Sequence, residues 1–409
     1  MKRSGLFLFL SLLVVLAGCG GYNAPSATAN TSHIAERVFL SNEATNVLDL
    51  IDASKDEFST FTDNNTGQIS NFTIALTAGP TSMLETTDKK TILVYLSVTK
   101  ALSIVDTTTE SQVGTLVFPD SVTSLAMAAN GTKAYAAIPT AVCSGSAITG
   151  AVEVVSLSTA KITACVPVAA ARSLVLSHDG KTLLVFAQDT NTAIFVDSTS
   201  LAVTAIDPTG TVLDRPVSAV FAADDSTAYI MSCGAECGGV QAAVVPWARS
   251  NNALGTPAPV PAAHEALLDS GNLFVAGSDP ILGGRLTVLS TSGLSTTKGP
   301  FAISDGVHDT ALLYKGQLFI GARACADTVH GCLSIYDTAS GKIAFSAVSP
   351  NSNTAPGGDD VTGMEAIPGR SVVYVCEGGA LRIYDTTTDA LQPKQITIPG
   401  NIVDAREVF

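Results

Sequence analysis

Ile104-Val105-Asp106-Thr107-Thr108 reads as the apolar end of a strand, then Asp, then Thr, and the same phrase returns along the chain. It stands as Leu50-Ile51-Asp52-Ala53-Ser54, Phe195-Val196-Asp197-Ser198-Thr199, Ile335-Tyr336-Asp337-Thr338 and Ile383-Tyr384-Asp385-Thr386. Degenerate copies stand at Val155-Ser156, Val245-Pro246 and Leu289-Ser290. With the Asp or its stand-in as the mark, positions 52, 106, 156, 197, 246, 290, 337 and 385 lie 54, 50, 41, 49, 44, 47 and 48 residues apart. A repeat of this length, made of short β-type runs, predicts an all-β fold: a β-propeller with one four-stranded blade per repeat. The count predicts eight blades, or seven should one degenerate repeat form none.

Between consecutive marks the order is a variable strand, a loop, an apolar strand, a tight turn and another apolar strand. In one repeat these are Lys161–Val168, Arg172–Ser177, His178-Asp179-Gly180-Lys181, Thr182–Ala187 and Ala193–Asp197. The turn recurs as Asn130-Gly131-Thr132, Asp224-Asp225-Ser226, Lys315-Gly316-Gln317 and Pro368-Gly369-Arg370. Asp, Asn and Gly tolerate positive φ there, which sets a hairpin. The strand after the turn has its own echo in Ala134-Tyr135-Ala136, Ala228-Tyr229-Ile230, Leu318-Phe319-Ile320 and Val373-Tyr374-Val375. This order resembles the YVTN family of β-propeller repeats across nearly all of residues 37–409. A carboxylate recurring in five blades cannot mark one site, so the Asp of the phrase is read as structural, accepting N–H bonds in its turn.

The chain ends predict how the ring closes. Arg37-Val38-Phe39-Leu40-Ser41 matches the strand after the turn, and Asn401–Phe409 matches an inner strand lacking its turn. The C-terminal inner strand should therefore complete the first blade, removing edges that pair with other chains.

The first 18 residues read as a targeting segment: Lys2 and Arg3, then a largely apolar run from Leu6 to Leu16. That run is shorter than the roughly 20 residues of a spanning helix. Leu16-Ala17-Gly18-Cys19 resembles a bacterial lipobox, which implies cleavage before Cys19 and a lipid on its thiol. Gly20-Gly21 after it implies the outer rather than the inner membrane of a bacterial cell envelope. Residues 19–36 then form a lipidated, small-residue tether, and 37–409 the propeller domain.

Only 14 % of residues are charged, against about 25 % in an average soluble protein, and the net charge is −14 with no Lys/Arg cluster. Such a chain repels nucleic acid and anionic headgroups, so attachment to a membrane is expected from the lipid. Beyond Cys19, Cys233/Cys237 and Cys325/Cys332 are close pairs expected as disulfides, Cys143/Cys165 a third, with Cys376 left over. A zinc reading of the close pairs lacks a second Cys/His pair in sequence, and an oxidising compartment favours disulfides.

Inner strands of a propeller line its channel. Aligned, their beginnings give a column Ser82, Ser124, Ser173, Ser218, Glu265, Asp309, Gly363 and Asp404, preceded by Thr81, Thr123, Arg172, Val217, His264, His308, Thr362 and Val403. His264-Glu265 and His308-Asp309 interrupt a Ser/Thr ring, with Asp305 and Asp359-Asp360 nearby. These four residues are the catalytic candidates, and His264, His308 and Asp309 the candidate ligands of a divalent metal; no other cofactor is indicated. The competing reading is a hydrogen-bonded polar ring pinning adjacent blades. Recurrent Trp positions of eight-bladed quinoprotein dehydrogenases are missing, since Trp247 is the single Trp. No Gly-x-Ser-x-Gly, phosphate-binding Gly-Lys-Ser/Thr or His-Glu-x-x-His motif occurs. The function expected first is a lipid-anchored scaffold binding a protein or glycan partner. The alternative is an envelope hydrolase resembling propeller lactonases, with its site at the channel mouth. Long loops at Thr140–Gly150, Cys233–Gly239, Ser278–Gly284 and Arg323–Gly331 must emerge on one face and offer a partner surface.

Overall fold

The computed structural model describes residues 31–408, except 33, 63–65, 188, 327–330, 347–359 and 399. The targeting segment, Cys19 and Asp359 lie outside the described residues. Among the described residues, eight antiparallel blade sheets form, one per repeat, beside a two-stranded sheet of Thr60–Thr62 and Ile69–Asn71, so the structure is an eight-bladed β-propeller. Blade 2 is typical: inner strand Ser82–Glu85, then Thr91–Leu96, Ala101–Asp106 and outer strand Ser111–Val117. The middle strands alternate two buried faces. In blade 1, Val38 and Leu40 pack against blade 8, whereas Phe39 packs against blade 2. The result is eight apolar clusters, one between each pair of neighbouring blades. No blade buries its faces alone, which is why the repeats must stack.

The recurring phrase is a stitch at one end of each blade. Asp197 accepts the N–H groups of Thr199 (3.0 Å) and Ser200 (2.7 Å), and Asp337 those of Ala339 and Ser340 (both 2.8 Å). These bonds hold both carboxyls below the ordinary range, that of Ser200 and that of Ser340 leading. The next hydroxyl reaches across to the neighbouring hairpin: Thr107 Oγ1 to the Lys89 carbonyl (2.8 Å), Ser198 Oγ to that of Gly180 (2.6 Å), Thr338 Oγ1 to that of Gly316 (2.8 Å). The structural reading of the phrase holds. Its fifth mark is corrected: Pro246 lies mid-strand opposite Tyr229, and Ala248 takes the terminal place opposite Thr227. Pro246 cannot donate to an outer neighbour, and the outer strand there breaks into Ala253–Leu254 and Ala258–Pro259.

The ring closes as the chain ends predicted. Ile402–Val408 is the inner strand of blade 1 and pairs antiparallel with Arg37–Asn42, Val408 opposite Arg37 and Asp404 opposite Ser41. Because inner strands all run the same way, their beginnings and every loop between second and third strands share one end of the ring. Hairpin turns and Asp-Thr stitches share the other. The chain enters at this second end, where Ser32 Oγ donates to Glu110 Oε1 (2.5 Å) and Arg37 Nη1 to Glu110 Oε1 (2.7 Å). Removing residues 402–409 should expose the unpaired edge of Arg37–Asn42 and the apolar residues of blades 1, 2 and 8. The expected outcome is loss of the cooperative melting transition and concentration-dependent aggregation by light scattering. A monomeric truncated chain with an unchanged midpoint would contradict the closure.

Candidate binding site at the channel mouth

The Ser/Thr column first explains itself as blade-to-blade stitching. Thr123 Oγ1 donates to the Arg172 carbonyl (2.6 Å), Ser218 Oγ to the His264 carbonyl (2.6 Å) and Thr362 Oγ1 to the Ile402 carbonyl (2.8 Å). Asp404 does the same for blade 2 through the Met83 N–H (3.2 Å). The polar-ring reading therefore holds for much of the column. A cavity of about 630 Å³ opens over the inner strands of blades 3 to 7, with Thr123 and Ser218 of that ring in its wall.

His264 is held on two sides. Its N–H donates to the Ala276 carbonyl (2.8 Å), and its Nδ1 lies 3.0 Å from Glu236 Oε1. Glu236 belongs to the short 3-10 turn Gly234–Cys237, closed by the Cys233–Cys237 disulfide. Its other oxygen accepts the Ser278 N–H (2.8 Å). This approach requires Gly277, since a Cβ there would sit 2.9 Å from Glu236 Oε2 and 3.0 Å from the His264 N. Burial works against a charged imidazole at His264, but the Glu236 bond and the charges of Glu236, Glu265 and Asp309 together outweigh it and raise its pKa above 6.5. Next to it, Glu265 lines the cavity. Burial pushes that carboxyl up to about 7, against the pull of His264.

The other two candidates separate. Inner-strand pairing in blade 7 jumps between His308, opposite Ala322, and Thr310, opposite Gly321, leaving Asp309 in a bulge. The column member of blade 7 is thus Thr310, and Asp309 takes the place that Arg172, Val217 and His264 take in their blades. Asp309 lines the cavity and is ion-paired with Arg323. Burial raises its pKa, with Arg323 opposing. His308 instead turns inward, fully buried, with Nε2 donating to the Ser304 carbonyl (2.9 Å). Burial pushes it down to about 4, so it is neutral. It is not among the residues that line the cavity. His264, His308 and Asp309 also fail to gather as metal ligands. Among the described residues, Cys233, Cys237 and His264 alone bring ligand atoms within 4.8 Å of one another, and the two sulfurs are joined as a disulfide.

All three expected disulfides form: Cys143–Cys165, Cys233–Cys237 and Cys325–Cys332, with Cys376 free and buried. Each staples loop structure at the mouth end. Asp305 and Asp360 brace the third loop through the N–H groups of Ala326 (2.8 Å) and Ala324 (2.7 Å), so they serve architecture. Glu236 and Arg215 went unnoticed in the sequence. The available signals were an acid between two stapling cysteines and a cation immediately before the blade 5 inner strand.

A second buried charge cluster lies at the closing seam. Arg406 Nη2 meets Asp404 Oδ2 (2.9 Å), and its Nη1 lies 3.7 Å from Glu365 Oε2. Burial pushes Glu365 up to about 8, with Arg406 and Lys89 opposing and Glu85 adding to the rise. Glu85, itself raised by burial, has an Oε2 without a hydrogen bond. Sequence alignment of the column reached only Asp404 of this group.

No family model matches the chain, and no curated protein matches it. Among solved structures it is similar to dihydro-heme d1 dehydrogenase NirN, at TM-score 0.67 and 11 % identity, over 90 % of this chain and 74 % of that one. It is also similar to a functionally unknown protein from Desulfotomaculum acetoxidans, at 0.53 and 13 %, over 76 % and 94 %. The periplasmic gluconolactonase of Pseudomonas aeruginosa matches at 0.51 and 15 %, over 91 % and 99 %. At these identities the likeness is one of fold: these are propellers, and their activities differ.

Glu236→Gln and Gly277→Ala should each weaken the bond that charges His264. Imidazole titration followed by NMR should show the His264 pKa falling in both variants. An unmoved His264 would contradict the assigned pairing.

Proposed function

We propose that this chain is a lipid-tethered propeller of the bacterial cell envelope that holds a glycan in its channel mouth. The observation carrying this reading is the cavity wall, which combines hydroxyls of Thr123, Ser124, Ser173 and Ser218 with carboxyls of Glu265 and Asp309. Sugar hydroxyls donate and accept at once, and hydroxyls and carboxyls answer both needs. A concave cavity of about 630 Å³ suits a small ligand or the end of a chain. A stable protein partner wants a broad surface of about 800 Å² on each side.

The lipobox-like Leu16-Ala17-Gly18-Cys19 supports the tether, Gly20-Gly21 the outer membrane, and the recurring turn and Asp-Thr phrases a YVTN-type repeat. Three disulfides agree with an oxidising compartment. A net charge of −14 argues against nucleic acid as the partner.

One observation favours a second reading, hydrolysis of a lactone or similar ester at the same mouth. His264, oriented through Nδ1 by Glu236, has no hydrogen bond at Nε2 among the described residues, as a base awaiting a water would. Its raised pKa weighs against that role at neutral pH, because the base form is then the minor one. An array of immobilised neutral and acidic oligosaccharides, probed with the purified full-length chain, separates the readings. Saturable capture without turnover, weakened about tenfold or more by Glu265→Ala, is expected. Product release from lactone substrates, abolished by His264→Ala, would replace glycan binding with hydrolysis.

A further inference from the structure

The mouth of this acidic chain carries three arginines, Arg172, Arg215 and Arg323, although Lys and Arg together number 22 of 409 residues. Their circumstances differ. Arg323 is neutralised by Asp309. Arg172, the bulge residue of the blade 4 inner strand, is exposed, and no described residue pairs with its guanidinium. Arg215 precedes the inner strand of blade 5, next in the ring. Its nearest acid is Asp189, at 3.7 Å and 72 % exposed, and its Nη1 is shielded from solvent without a hydrogen bond.

A donor taken out of water without a partner is costly. Nothing in the fold needs this arrangement: the Arg172 carbonyl, not its side chain, ties blade 3 to blade 4. On neighbouring blades at the same mouth, Glu265 and Asp309 hold the acidic side. The wall thus carries Arg172 and Arg215 over blades 4 and 5, opposed there only by the exposed Asp189, and over blades 6 and 7 Glu265 and the Arg323-paired Asp309.

We propose that Arg172 and Arg215 read an oxyanion on the ligand, so that the glycan held at the mouth is an acidic one. The anion lies against the two guanidinium forks, and the hydroxyls of the same sugar face Glu265 and the serines. This rests on the mouth being a glycan site and adds the chemical class. A uronate carboxylate and a sulfate ester share the required chemistry, since both accept forked N–H donors.

Calorimetric titration of the full-length chain with three trisaccharides tests it: neutral galactose, galacturonate and galactose 6-sulfate. Tighter binding of an acidic probe than of the neutral one is expected, weakening as salt rises, and the better acidic probe identifies the anion. Arg172→Gln and Arg215→Gln should each cost that probe about tenfold in affinity, and leave the neutral one unchanged. Arg172→Lys, which keeps charge but loses the fork, should fall between. Arg172 is exposed, so its variants report binding even should Arg215→Gln fold poorly. Equal binding of all three probes, insensitive to both arginines, would overturn the acidic class while leaving a glycan site. Binding of none would overturn both.

Discussion

Everything in this structure depends on one strand pairing, Ile402–Val408 beside Arg37–Asn42. The eight apolar clusters each need two blades, so an open ring would leave two faces wet and two edges unpaired. The pairing also fixes where every inner strand begins, and therefore which side chains meet at the mouth. Its seam is unusually charged for a propeller interior. Arg406, Asp404, Glu365 and Glu85 share it, and Glu365 is pushed up to about 8. Buried charges rarely add net stability, but their pairing needs penalise a slipped strand. A register shift here would strand Arg406 among apolar side chains.

The two ends of the ring divide the labour. At the hairpin-turn end, Asp and Thr side chains are consumed by the backbone. Asp385 accepts the Thr387 N–H (2.8 Å), and that of Thr107 is bonded to the Lys90 carbonyl (3.0 Å). At the mouth end, no described residue pairs with the Arg172 guanidinium, and Arg215 meets only the exposed Asp189. Loops there are longer, stapled by disulfides, and tipped with exposed aliphatics such as Val240 and Ile281. A rigid frame with unsatisfied groups at one rim is the physical form of a ligand site.

Much of this was legible because the repeat is a local signal. The Asp-Thr phrase, the Gly turns and the Tyr-Val echo each occupy a few residues, and recurrence placed them in register. The disulfide partners were equally local, at separations of 4, 7 and 22 residues. What escaped was set by single-residue irregularities. A bulge at Asp309 shifted the blade 7 column by one and turned His308 into the core, where a histidine beside an Asp looked like a site residue. Pro246 mimicked the phrase because Val-Pro is apolar, though the strand runs two residues further. Glu236 reaches His264 from a loop 28 residues upstream, and only the absent Cβ of Gly277 lets it in. No periodicity announces such an approach.

A ligand held in the mouth over blades 4 to 7, where the repeat is broken, should be visible in a crystal structure of the chain with an acidic oligosaccharide. The expected result is sugar density inside the mouth, an anionic group against Arg172 and Arg215, and hydroxyls toward Glu265. Density at the hairpin-turn end, or on the outer strands, with an empty mouth would contradict it.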